Sequence, residues 1–417
     1  MEEVKTDIGF ARAWVRLSLE KKCLSRHLKT LLSNQELLRN LYKRHAFLRS
    51  DDEKEYFVHY LLTLNALDYA CFTTSYTHTV LPYRVTIFPS RKFHANTTSA
   101  NLWVTVSGTL AHTEKPLPIP KPSLEMVFKA RNLGILTTLR MGHDSSGLTP
   151  KILIEHVLVR NELTGQCVRF PSGRWLGKGV DDGASERLLI AEYIPLGMPE
   201  SEVYESCRTP PRCRSPSVPR RPSEPKLNVQ DIQQLVNNAV NKIVKHHYRP
   251  QNERSTLTVL LCGELGLIYS LEQLFLYGFR AVRLFRHLYL WDYFLRVKLF
   301  FENFLQENEA VLDAKNRDEH LNVMNGYINI IRKIETAATH TIGKDQRFQA
   351  FICVALREHF LHRMLVHLAS APITSQLYDE HSFLRDSTLL TFLVQVLENL
   401  VQVDFSDIEK AIILNVV

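Results

Sequence analysis

The amino-acid sequence predicts a multidomain α and β protein in which two helical bundles flank an antiparallel β-sandwich. Three observations carry this prediction. Apolar residues recur at helical spacing before residue 76 and after residue 227, and between them the period changes to alternation. A Pro/Arg/Ser-rich stretch then separates the alternating region from the second helical one. With 417 residues, 45% hydrophobic and 23% charged, the chain can bury more than one core.

In the first helical region, Ala13, Leu17, Leu24, Leu28, Leu31 and Leu32 lie on helical faces. Ser33 and Asn34 interrupt them before a second run through Leu37, Leu38, Leu41 and Tyr42. Ser50, Asp51, Asp52 and Glu53 place a capping hydroxyl and three acids at the positive end of a third helix. Residues 83–87, 102–106, 136–139 and 152–159 read as strands, with turn-rich pieces at 116–122, 142–147 and 161–165. The sandwich is expected over 80–195. Residues 196–226 bury too little to order themselves and are expected to be a flexible linker. The chain is helical again over 227–417, where Leu284, Leu288, Trp291, Leu295 and Leu299 form the strongest amphipathic run.

The net charge is +7, but the stretch from Cys207 to Lys226 supplies +5 of it. A nucleic-acid binder spreads basic charge over a folded face, so no nucleic-acid partner is expected. Seven cysteines, scattered and without a CxxC pair, point to reduced thiols in the cytosol. The N-terminus lacks the charged-then-apolar build of a signal peptide. The apolar run over 285–305 is broken by Arg286, Asp292, Arg296, Lys298 and Glu302, which makes it a core helix rather than a bilayer span.

Two distant segments match. LYKRHAFLR at 41–49 and LYDEHSFLR at 377–385 are identical at six of nine positions. Upstream, Leu19, Leu24 and Arg26 align with Leu356, Leu361 and Arg363 after one gap. Such self-similarity predicts a repeated structural unit. The second copy follows a long helical sequence, whereas only residues 1–7 precede the opening helix of the first. The first unit, residues 1–76, therefore reads as a truncated bundle with an exposed apolar stripe, including Trp14, Leu17 and Leu24, that the sandwich, a partner or nothing at all would cover.

No set of residues spells a reaction. Residues 173–179, GRWLGKG, lack the spacing and the hydroxyl residue of a phosphate loop; positive φ in a sandwich loop explains the glycines better. His359, His362 and His367, read as one helix, miss the i, i+4 spacing of a zinc helix. His143-Asp144-Ser145 are adjacent, so they form a turn rather than a catalytic relay. Asp144, Asp181 and Asp182 read as solvated turn acids rather than calcium ligands. No cofactor, metal or catalytic residue is expected. Two partner-binding candidates remain, the first weighed against a solvated helix face and the second against an unread spacer. One is the basic face Arg39, Lys43 and Arg44, at i, i+4 and i+5. The other is Arg214-Ser215-Pro216-Ser217-Val218-Pro219, in which phosphorylated Ser217, with Arg214 and Pro219, fits the pattern that 14-3-3 proteins bind.

Residues 278–294, GFRAVRLFRHLYLWDYF, resemble the signature of RUN domains, all-helical modules that bind small GTPases. Through the repeat, the likeness extends to residues 8–72. The middle region resembles a PLAT domain at 100–108 (ANLWVTVSG), Leu133-Gly134, 142–147 (GHDSSG), Phe170 and Trp175-Leu176, with Ile152 where a tryptophan is common. The order RUN, PLAT, RUN is similar to the C-terminal half of the type-five DENN-domain proteins. That resemblance implies a cytoplasmic, non-catalytic adaptor that binds Rab-type GTPases at Golgi or endosomal membranes. Exchange activity in that family belongs to a DENN module with no counterpart here. The alternative is a peripheral lipid-binding protein that uses the sandwich loops and the basic linker.

Overall fold

A computed structural model describes residues 4–90, 98–196, 227–249, 257–280, 282–283, 286–307, 317–408 and 412–414. Two helical regions flank an antiparallel sandwich, as the sequence predicts. The first region holds α1 (Asp7–Glu20), α2 (Leu24–Leu32), α3 (Gln35–Leu41), α4 (Asp51–Thr63) and α5 (Cys71–Ser75). Thr6 caps α1 by accepting the Gly9 N–H at 3.1 Å, and Asn34 caps α3 by accepting that of Leu37 at 3.0 Å.

The sandwich consists of β1 (Val80–Pro89), β2 (Leu102–Gly108), β3 (Leu117–Pro118), β4 (Glu125–Arg131), β5 (Leu136–His143), β6 (Ile152–Asn161), β7 (Cys167–Leu176), β8 (Glu186–Ile190) and β9 (Glu192–Tyr193). One sheet runs β4-β1-β6-β7-β9 and the other β3-β2-β5-β8, with every pairing antiparallel. Alternation sends Leu81, Tyr83, Val85 and Ile87 of β1, and Leu102, Val104 and Val106 of β2, into the space between the sheets. Ile152 is fully buried there. Gly173 and Gly177 have φ of 62° and 143°, so backbone shape accounts for the glycines of 173–179.

The first helical region shares the sandwich core: Ala13, Phe72 and Tyr76 are buried in it and Leu17 packs against it. The Glu20 carboxylate accepts the N–H groups of Phe72 and Thr73 at 2.8 and 2.9 Å, capping α5. From β4–β5, Asn132 donates to the carbonyls of Thr73 and Tyr76 at 2.7 and 2.9 Å.

The second helical region contains α6 (Val229–His247), α7 (Leu257–Cys262), α8 (Leu267–Leu276), a short hairpin of β10 (Val282–Arg283) and β11 (Arg286–His287), α9 (Leu290–Glu307), α10 (Arg317–Ala337), α11 (Lys344–Arg357), α12 (Leu361–Ser370), α13 (Pro372–Leu377) and α14 (Ser387–Glu398). Among the described residues, the stretch Leu257–Leu276, not 285–305, has the length and apolarity of a membrane span. The turn at Gly263–Gly266 breaks it, and Leu257, Leu261, Leu267, Leu271, Leu274 and Phe275 are buried in the helical core, so it is core in this fold.

Candidate interaction site

The two matching segments adopt the same local structure. Lys22 and His359, between the first two helices of each unit, have φ of 55° and 51°. Cys23 N–H reaches Ser18 O, and Phe360 N–H reaches Ala355 O. After α3 and α13 the chain leaves the helix at Tyr42 (φ −127°, ψ 142°) and Tyr378 (φ −121°, ψ 146°). Arg49 then donates to Tyr42 O, and Arg385 to Tyr378 O, each at 3.1 Å. A guanidinium seven residues on thus pins the same turn in both copies.

Their environments differ. In the second unit Leu377, Tyr378 and Phe383 are each 1% exposed. The Phe279 and Tyr293 rings lie 5.2 and 5.1 Å from that of Tyr378, and the Tyr277 ring lies 5.8 Å from that of Phe383. The Arg280 N–H donates to Leu377 O, and its guanidinium pairs with Asp379 at 2.9 Å. In the first unit the equivalent residues Leu41, Tyr42 and Phe47 are 67%, 40% and 48% exposed. Leu31 and Leu37 are exposed as well.

This open face is not the expected stripe. Leu24 is buried, Leu17 lies on the sandwich core and Trp14 is half-buried over His27. The sandwich thus covers Leu17, one of the three ways the stripe could be satisfied, and Trp14 is covered from within the helical region. Arg39, Lys43 and Arg44 are all exposed, but they do not share a helix face. The α3 helix ends at Leu41, so Arg39 sits in its last turn and Lys43 and Arg44 in the turn beyond, beside the apolar residues. In the second unit Asp379 and Glu380 replace Lys43 and Arg44, so the sign of the charge is reversed. The first unit therefore exposes apolar residues edged by cations. Arg214, Ser217 and Pro219 lie outside the described residues.

Other acids and histidines are absorbed by structure. Asp144 accepts from Ser146 N, Ser146 Oγ and both Asn101 donors, and these bonds hold its carboxyl well below the usual carboxylate range. Asp181 and Asp182 are not solvated turn acids. Their side chains are fully buried with Arg174 and Arg187 where the sandwich meets the second helical region. Nothing in their local sequence signals this. His359 precedes α12 rather than sharing it with His362 and His367, and His367 contacts His320 at 2.8 Å.

The RUN domain pattern matches residues 1–75 and 266–408, and the PLAT/LH2 domain pattern matches residues 83–189. Human lipoxygenase homology domain-containing protein 1 is 34% identical over 140 residues, which cover 30% of this chain and 7% of that protein. Human polycystin-1-like protein 1 is 40% identical over 89 residues, 21% of this chain and 3% of that protein. Rat protein RUFY3 is 38% identical over 65 residues, 16% of this chain and 14% of that protein. The chain thus spans a small part of each of these relatives. Among solved structures, coral 8R-lipoxygenase aligns at 16% identity over 30% of this chain and 19% of its own, with a TM-score of 0.22.

Proposed function

The chain belongs to the RUN domain family and carries a PLAT/LH2 domain between its helical regions, and on that premise we propose that it is a non-catalytic adaptor for Rab-type small GTPases in Golgi or endosomal traffic. RUN and PLAT domains are protein-interaction or lipid-binding modules. In this reading residues 1–76 are the later part of a RUN domain, 80–195 a PLAT domain, 196–226 a linker and 227–417 a second RUN domain, laid out as in the type-five DENN-domain proteins. The observation that carries it is the paired unit. One copy buries its Tyr378 face, and the other leaves the Tyr42 face open beside Arg39, Lys43 and Arg44. An apolar patch with a cationic rim gives a partner a desolvated anchor and electrostatic steering. Phosphorylated Ser217 would offer 14-3-3 proteins a separate handle.

The test is retention of a panel of Rab proteins, loaded with GDP or a GTP analogue, on the immobilised chain. Binding by one or more Rab proteins should depend on nucleotide. The charge-reversed variant Arg39→Glu/Lys43→Glu/Arg44→Glu should weaken it by about tenfold or more. Equal retention of both nucleotide forms throughout the panel overturns the adaptor reading.

A second reading, peripheral lipid binding, is favoured by Leu148, which is 100% exposed between β5 and β6. Sedimentation with anionic vesicles separates the two readings. Binding through the basic linker fades as salt rises, whereas binding through Leu148 is lost in Leu148→Ser.

A further inference from the structure

The helix α11 begins without a cap of its own. Gly343 stands at its N-cap with φ −75° and ψ 166°, the extended shape of a capping residue, but it has no side chain to accept an N–H. Its counterpart in the first unit is Thr6, whose hydroxyl caps α1. The equivalence follows from the matching ends of the two helices, where Lys21 N–H reaches Leu17 O and Glu358 N–H reaches Val354 O. One copy caps itself and the other does not.

The missing acceptor comes from the sandwich. Asp182, in the β7–β8 connection, brings Oδ2 to 3.4 Å from the Asp345 N–H in the first turn of α11. A Cβ built on Gly343 would collide with that carboxylate and would lie 2.9 Å from the Ala184 Cβ. The glycine therefore leaves room for the visiting side chain. Arg187 fixes Asp182 from below, pairing with it while donating to Trp175 O at 3.0 and 3.1 Å. Arg174 pairs with Asp181 at 3.3 Å and, across the boundary, with Asp345. Burial alone would raise the Asp182 pKa, but Arg187 and Arg174 outweigh it and hold the carboxyl ionised. Beside the cap, the N–H groups of Ser185 and Glu186 both donate to Thr341 O at 3.1 and 3.2 Å, and Leu188 of β8 packs on the helical core.

We propose that Asp182 of the sandwich is the N-cap of α11, so that the sandwich and the second helical region form one interlocked unit whose helical half is incomplete without the sandwich loop. A carboxylate at this position also meets the positive end of the helix dipole. The contact replaces a local cap with a distant one, so the start of α11 is stable only while the two parts are docked.

Hydrogen exchange on the full chain tests this, read at the first-turn amides of α11, the first-turn amides of α1, and the amides of Ser185 and Glu186. Asp182→Ala should speed exchange in the first turn of α11 by about five- to tenfold and leave α1 unchanged. Asp182→Asn, which keeps an acceptor oxygen, should fall between wild type and Asp182→Ala, and it serves if the alanine variant folds poorly. Gly343→Thr supplies a local hydroxyl and pushes Asp182 away. Its Ser185 and Glu186 amides should exchange faster while the start of α11 stays protected. Gly343→Thr/Asp182→Ala should then match Gly343→Thr. Wild-type protection of the first turn of α11 in Asp182→Ala, or undisturbed Ser185 and Glu186 amides in Gly343→Thr, overturns the proposal.

Discussion

His156 shows how a single side chain records its surroundings. It sits opposite Phe88 on β1, whose ring stacks on it at 4.4 Å, and neither ring nitrogen has a hydrogen-bond partner among the described residues. Burial, helped by the Arg169 charge, pushes its pKa down from 6.5 to about 4. The folded chain therefore holds the ring neutral where the unfolded chain would protonate it. Its stabilising share is intact above pH 6.5 and is lost as pH falls toward 4, by on the order of 3 kcal/mol. His156→Leu should flatten the decline in denaturant stability between those pH values, and an unchanged slope would place the titration elsewhere. The sequence did not disclose this histidine, nor the buried state of Asp181 and Asp182. Within a turn-rich segment those acids look solvated, and their burial depends on Arg174, Arg187 and a helix more than 160 residues downstream.

Elements are legible in sequence to the degree that their own pattern decides them. Alternation announced β1 and β2, because each sends every second side chain into the core. It did not announce β4, an edge strand with only Phe128 buried, or β7, where Pro171 and Gly173 read as turn signals inside the strand. The repeated turn was legible because its identities hold backbone contacts, with Arg49 and Arg385 each bonded to the tyrosine carbonyl seven residues earlier. What the pattern does not convey is that one copy is covered and the other open. That difference gives a paired prediction. Tyr378→Ala should cost about 3–5 kcal/mol in denaturant unfolding, because it leaves a cavity among Phe279 and Tyr293. Tyr42→Ala, at a position 40% exposed, should cost about 1 kcal/mol or less. Equal costs would mean that the two faces are not differently covered.

At the scale of the whole molecule, the order of helical region, sandwich and helical region follows from the sequence, because each region carries its own period. How the parts dock does not, since the contacts join residues far apart: Glu20 with Thr73, Asn132 with Tyr76, and Asp182 with Asp345. The sandwich and the second helical region meet through the Ser185 and Glu186 hydrogen bonds, Leu188 and the Arg174, Asp182, Arg187 and Asp345 charges, none of which needs residues 197–226. Covalent connection there is then dispensable for association. A protease site inserted between residues 197 and 226 should, when cut, leave two fragments that co-elute in gel filtration. Because Asp181, Asp182 and Arg187 are buried, raising salt from about 0.15 M to about 0.5 M should not part them, since screening acts mainly on exposed charges. Asp182→Ala/Arg187→Ala should elute as two separate species after the same cut. Separation of the wild-type fragments at the lower salt would show that the chain, and not the interface, holds the two parts together.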